Sequence, residues 1–125
     1  MARILIIEDT PGNMLLTSLM LESDGHTLFC AERARTGIEI ARQEQPDLVL
    51  MDVQMPEMDG LTAVGILKND PATRVIQVVA LTAYVMKGDR ERILAAGFDG
   101  YIEKPIEYDS FVAEIRRLVG APPAP

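Results

Sequence analysis

The stretch Leu48-Val49-Leu50-Met51-Asp52-Val53-Gln54-Met55-Pro56-Glu57-Met58-Asp59-Gly60 carries an apolar run straight into a carboxylate and then into a polar loop. A short apolar run bounded by turn residues reads as a strand buried on both faces, as in a parallel sheet. Asp52 then stands at the rim of that strand. Taken alone it has an ordinary structural reading, because strand-end aspartates commonly close turns or cap helices.

The same arrangement recurs along the chain. Ile4-Leu5-Ile6-Ile7 runs into Glu8-Asp9, Ile76-Gln77-Val78-Val79-Ala80-Leu81 runs into Thr82, and Tyr101-Ile102 leads to Glu103-Lys104-Pro105. Between these runs lie longer segments of helical period. The alternation predicts an α/β fold: a (βα)5, flavodoxin-like, doubly wound five-stranded parallel sheet of strand order 2-1-3-4-5. Strands are expected over 3–7, 27–31, 47–51, 76–81 and 99–102.

The first helix is expected over 13–23, with Leu15, Leu16, Leu19 and Met20 making the apolar stripe that would mark its core-facing side. The second should start near Thr36, where Thr36 and Glu39 have capping-box spacing, and stop before Pro46. A third is expected over 61–68. The fourth, over 85–96, is the most polar and closes at Gly97. The fifth, over 109–119, carries Phe111, Ile115 and Leu118 on one stripe, with Val112 and Val119 alongside. One domain over 1–120 is expected, followed by a proline-rich tail over 121–125 that cannot be helical.

Composition removes several function classes. Of 125 residues, 48% are hydrophobic and 25% charged, which suits a soluble globular domain. No apolar run approaches the ~20 residues that span a bilayer, and the N-terminus loses its apolar character too early for a signal peptide. The cytoplasm is the expected compartment. A net charge of -7 opposes binding to nucleic acid or an anionic membrane. Cys30 is the only cysteine, which leaves no internal disulfide and no multi-thiolate zinc site, and it is expected to be a small buried strand residue. His26 is the only histidine, so a Ser-His-Asp triad has little to build from; a surface turn is its expected place.

Parallel strands joined by right-handed crossovers point their carboxyl ends the same way, and ligands sit there where the strand order reverses. Order 2-1-3-4-5 therefore gathers Glu8, Asp9, Asp52, Thr82 and Lys104. Three carboxylates so close raise one another's pKa unless a cation joins them. An all-oxygen set without His or Cys suits Mg²⁺. Lys104 and Thr82 would then face the oxygens of a transferring phosphoryl group, with Asp52 as the nucleophile that forms an acyl phosphate.

The set Glu8-Asp9, Leu50-Met51-Asp52-Val53-Gln54-Met55-Pro56 with Met58-Asp59-Gly60, Leu81-Thr82-Ala83 and Glu103-Lys104-Pro105 closely resembles the receiver domains of two-component response regulators, the CheY-like superfamily. The resemblance covers essentially the whole chain. The segments 84–93 and 101–106 also look like the stand-alone cell-polarity members of that family. The resemblance implies that Asp52 takes a phosphoryl group from a histidine kinase or histidine phosphotransfer protein. It implies that Glu8 and Asp9, with Asp52 and the backbone carbonyl of Gln54, hold Mg²⁺, and that Thr82 and Lys104 contact the phosphoryl group. The Lys104–Pro105 bond would be cis. Thr82, Tyr101 and Pro105 would form the switch, read by a downstream protein on the face of the fourth helix, fifth strand and fifth helix. Gln54 and Tyr84 would flank the path of the hydrolytic water. The resemblance also admits a weak or phosphorylation-dependent homodimer. Apart from its own phosphorylation and dephosphorylation, such a domain turns over no outside metabolite.

Three other classes compete. A phosphohydrolase with an aspartate nucleophile would want a second acid two residues on, where Gln54 stands and cannot protonate a leaving group. A phosphorylation-independent interaction domain of the same fold would not need the complete acidic and lysine set. A nucleotide-binding flavodoxin-like protein would carry a glycine-rich loop after the first strand, and none is there.

Overall fold

The computed structural model describes residues 2–55, 57–83, 88–104 and 106–120. Five strands and five helices alternate: β1 (Arg3–Ile7), α1 (Pro11–Ser23), β2 (Thr27–Ala31), α2 (Ala34–Glu44), β3 (Leu48–Asp52), α3 (Gly60–Asn69), β4 (Gln77–Thr82), α4 (Asp89–Ala96), β5 (Gly100–Glu103) and α5 (Tyr108–Val119). All four strand pairings are parallel, and the order is β2-β1-β3-β4-β5, as the alternation predicts.

Successive strand residues face opposite sides of the sheet, so a parallel sheet covered by helices on both faces needs apolar residues at every position. The central strands satisfy this: Ile4 to Ile7, Leu48 to Met51 and Val78 to Leu81 are all at most 1% exposed. Leu5, Ile7, Val49, Met51, Val78 and Ala80 form one core with Ile38, Val64, Leu67 and Ile93 of α2, α3 and α4. Ile4, Ile6, Leu48, Leu50, Val79 and Leu81 form the other with Leu21 of α1 and Phe111 and Ile115 of α5.

The strands β3, β4 and β5 each lie one residue further along than expected, which makes Asp52 and Thr82 the last ladder residues of β3 and β4. Asp52 pairs with Leu81, and Thr82 pairs with Glu103. The helix α2 begins at Ala34 with Arg33 as its cap, so Thr36 sits inside the helix and the capping-box reading fails. The fourth helix is described over Asp89–Ala96, and Tyr84 to Lys87 lie outside the described residues. Gly97 ends it with φ 119°, a conformation open to glycine.

Three further expectations are corrected. Leu15, Leu16 and Leu19 of α1 are 60%, 45% and 56% exposed, while Thr17, Ser18 and Leu21 face inward. Apolar residues surround this helix, so periodicity could not choose the buried face. Cys30 is exposed because β2 is an edge strand, and its Sγ lies 3.6 Å from Ser18 Oγ. His26 is buried: its Nδ1 accepts from the Ala2 backbone N–H at 3.3 Å, and its Nε2 lies 3.2 Å from Asp24 Oδ2. Asp24 in turn pairs with Arg116, tying the end of α1 to α5. That pairing holds the Asp24 carboxyl below its ordinary range.

Candidate functional site

Three carboxylates and one ammonium meet at the carboxyl ends of β1, β3 and β5. Glu8 is fixed by its backbone N–H, which donates to Ala31 O at 3.0 Å across to β2, and the residue is 1% exposed. Asp9 follows it, half-buried. Asp52 is 8% exposed, and its Oδ1 accepts from the Gln54 backbone N–H at 3.0 Å, so the loop's own turn aims the carboxylate. Carboxylate oxygens of Glu8, Asp9 and Asp52 all lie within 4.8 Å of one another.

Lys104 reaches the cluster from the end of β5. Its Nζ donates to Glu8 Oε1 at 2.8 Å and to Asp52 Oδ2 at 3.2 Å, while its backbone N–H donates to Thr82 O at 2.8 Å. Burial works against its charge, but Glu8 and Asp52 outweigh burial and its pKa is raised. Glu8 carries the opposite strain. Burial first, then its contact with Asp52, pushes its pKa up from 4.5 to about 7 against the pull of Lys104. Glu8 Oε2 is buried without a hydrogen-bond partner among the described residues. A buried carboxylate oxygen left in that state costs free energy that a bound cation would recover.

The loop after Asp52 is held by the Gly60 N–H donating to Val53 O at 2.8 Å and by Asp59 Oδ1 capping α3 through the Thr62 N–H. A Cβ on Gly60 would come within 2.7 Å of the Asp52 carbonyl oxygen. Glycine is therefore what lets α3 start directly beside the site.

Thr82 is 3% exposed at the end of β4, beside the cluster. Tyr101 lies half-buried on β5, with the Arg90 guanidinium of α4 5.5 Å from its ring centroid. Gln54 is exposed at the mouth. Pro105, Tyr84 and Pro56, and with Pro105 the cis bond, lie outside the described residues. Sequence reasoning missed a groove of about 220 Å³ in which Leu16 and Asn13 of α1 meet Lys104 and Ile106. Leucines all round α1 were the available signal.

The chain matches the response regulator receiver domain over residues 4–116. It belongs to that family. The receiver is 39% identical over 117 residues to the polar-differentiation response regulator DivK of Brucella anthropi, covering 94% of this chain and 95% of that protein. DivK of Brucella ovis matches to the same extent. Among solved structures, the receiver domain of a Pseudomonas aeruginosa sensor histidine kinase is 30% identical with a TM-score of 0.88, covering 96% of this chain and 98% of that one. That protein has a magnesium ion coordinated in its active site cleft. A chemotaxis response regulator of Vibrio cholerae, 22% identical, shares the fold with a TM-score of 0.88 over 94% of this chain and 98% of that one.

The protein is thus a response regulator receiver of two-component signalling, a switch that works through partner proteins. Its acidic cluster could hold a metal ion. No helix among the described residues is long and apolar enough to cross a membrane.

Proposed function

We propose that Asp52 accepts a phosphoryl group from a phosphohistidine of a histidine kinase or phosphotransfer protein, and that this alters binding of a downstream protein. The observation that carries the reading is the charge imbalance among the described residues: one ammonium, Lys104, against the carboxylates of Glu8, Asp9 and Asp52, with Glu8 Oε2 unpartnered there. Glu8, Asp9, Asp52 and the Gln54 backbone carbonyl would hold Mg²⁺. When bound, Mg²⁺ supplies positive charge that neutralises the carboxylates and the transferring phosphoryl group.

A carboxylate oxygen of Asp52 forms a bond to phosphorus as the donor's N–P bond breaks. The electron pair stays with the imidazole, which takes a proton from water. The Gln54 N–H holds one Asp52 oxygen in place for attack. Lys104, released from Asp52 Oδ2 by the reaction, turns to the phosphoryl oxygens, and the Thr82 hydroxyl joins it. Dephosphorylation is attack of water on the same phosphorus, with Asp52 as leaving group. The exposed leucines of α1, beside the groove that holds Lys104, suit a donor that must bring its histidine to this rim.

The charge added at Asp52 is read through β5, which carries both Lys104 and Tyr101 and pairs with Thr82. Movement of Thr82 and Tyr101, with Pro105, would remodel the face of α4, β5 and α5. The test is incubation with a small acyl phosphate and Mg²⁺ followed by intact mass measurement. Wild type gains one phosphoryl mass and Asp52→Asn gains none. Equal gain in both, or gain in neither, overturns the reading.

A further inference from the structure

Several of the acids are paired with cations. Glu44 pairs with Arg3, Asp70 with Arg42, Asp99 with Lys68, Asp24 with Arg116 and Glu114 with Arg117. Glu103, the last residue of β5, and Glu107, the cap residue of α5, form no ion pair among the described residues, and both are exposed. An acid at a helix start ordinarily complements the helix dipole or caps it. The Glu107 side chain makes no capping hydrogen bond, and Glu103 is not on a helix.

Between these carboxylates lies a groove of about 340 Å³, walled by Tyr101, Ile102 and Ile106 and rimmed by Glu103, Glu107 and Glu114. Its apolar walls are only half-buried. Arg90, over the Tyr101 ring, sets a positive charge at one end and repels a cation there. The negative charge is therefore concentrated at the end towards Glu103 and Glu107.

We propose that this groove docks a basic, amphipathic segment of a partner protein, seating an apolar side chain on Ile102 and Ile106 with Lys or Arg reaching Glu103 and Glu107. The inference rests on the readout face named above and adds its chemistry. Lysine and arginine fit because their aliphatic stems cover apolar surface while the charged ends reach the rim. An acidic segment would meet two unpaired carboxylates, and nucleic acid is disfavoured by a net charge of -7. The rim is joined to the site, since Glu103 pairs across to Thr82 and precedes Lys104.

The test uses the full chain, isotopically labelled for NMR. It is titrated with a short helix-forming peptide bearing a Leu stripe flanked by Lys, with its Glu-for-Lys twin, and with a permuted peptide of the same composition. The expected result is shifts concentrated over 101–114 for the first peptide only, weakened at high salt. Glu103→Lys/Glu107→Lys should weaken binding about tenfold, while Glu22→Lys/Glu39→Lys, of equal net charge, should not. Shifts centred elsewhere, or equal loss in both double variants, overturn the proposal. Groove binding that ignores phosphoryl uptake supports the docking and counts against the switch reading, so the two fail separately.

Discussion

Lys68 and Lys104 sit at opposite ends of the sheet and meet opposite fates. Lys68 Nζ donates to Asp99 Oδ2 at 2.8 Å, Ile76 O at 2.8 Å and Arg74 O at 3.3 Å, which uses all three of its donors. Asp99 also accepts the Val78 N–H at 2.8 Å, so that cluster is balanced in charge and in hydrogen bonds. Among the described residues, Lys104 is the one cation against three carboxylates, and Glu8 Oε2 has no hydrogen-bond partner. The balanced end holds α3, β4 and β5 together. The unbalanced end carries an excess of negative charge, which suits the cation that the proposed phosphoryl site would hold.

The comparison can be broken most sharply at Lys104. Lys104→Met should slow phosphoryl uptake roughly 10²- to 10³-fold, because a preorganised charge facing the transferring group is lost; time-resolved intact mass measures it. If uptake is unchanged, the two lysines differ only in packing.

Glu8 provides the next largest effect. Between about pH 4.5 and 7 the metal-free folded protein keeps a proton on Glu8 that the unfolded chain has released. Its stability therefore falls as pH rises through that window, by up to about 3 kcal/mol. Urea unfolding in chelator should show this fall for wild type and a flatter profile for Glu8→Gln. Adding Mg²⁺ at pH 8 should restore more stability to wild type than to the variant.

Lys68→Met should cost about 1–2 kcal/mol, since it leaves two carbonyls and a half-exposed Asp99 to water, and should leave phosphoryl uptake unchanged. Smallest is Leu19→Ser, expected to change stability by less than about 0.5 kcal/mol because the side chain is exposed. A loss of about 2–4 kcal/mol in thermal or urea unfolding would mean that the α1 leucines are core after all.

The strand runs, their order and the residues at their carboxyl ends were legible because each central strand is buried on both faces and reads as an unbroken apolar run. The α5 stripe was legible for a related reason: Phe111, Val112 and Ile115 are buried, and charged residues mark the opposite face. α1 was not, because leucines and methionines occupy several faces while Thr17 and Ser18 turn inward. His26 and Cys30 were misread because a lone residue's burial depends on neighbours far along the chain. Ala2 and Asp24, the latter held by Arg116, bond the His26 ring, and the edge position of β2 exposes Cys30.

The sequence by itself determined the alternation of buried strands and helices, and the acids, hydroxyl and lysine that end them, since periodicity and residue chemistry are local properties. Tertiary structure decided which of those groups touch. Only the folded sheet brings Lys104 within 2.8 Å of Glu8, 96 positions away, and sets Glu103 and Glu107 beside an apolar groove. Distances between charges, and the water excluded around them, exist only once the strands lie side by side.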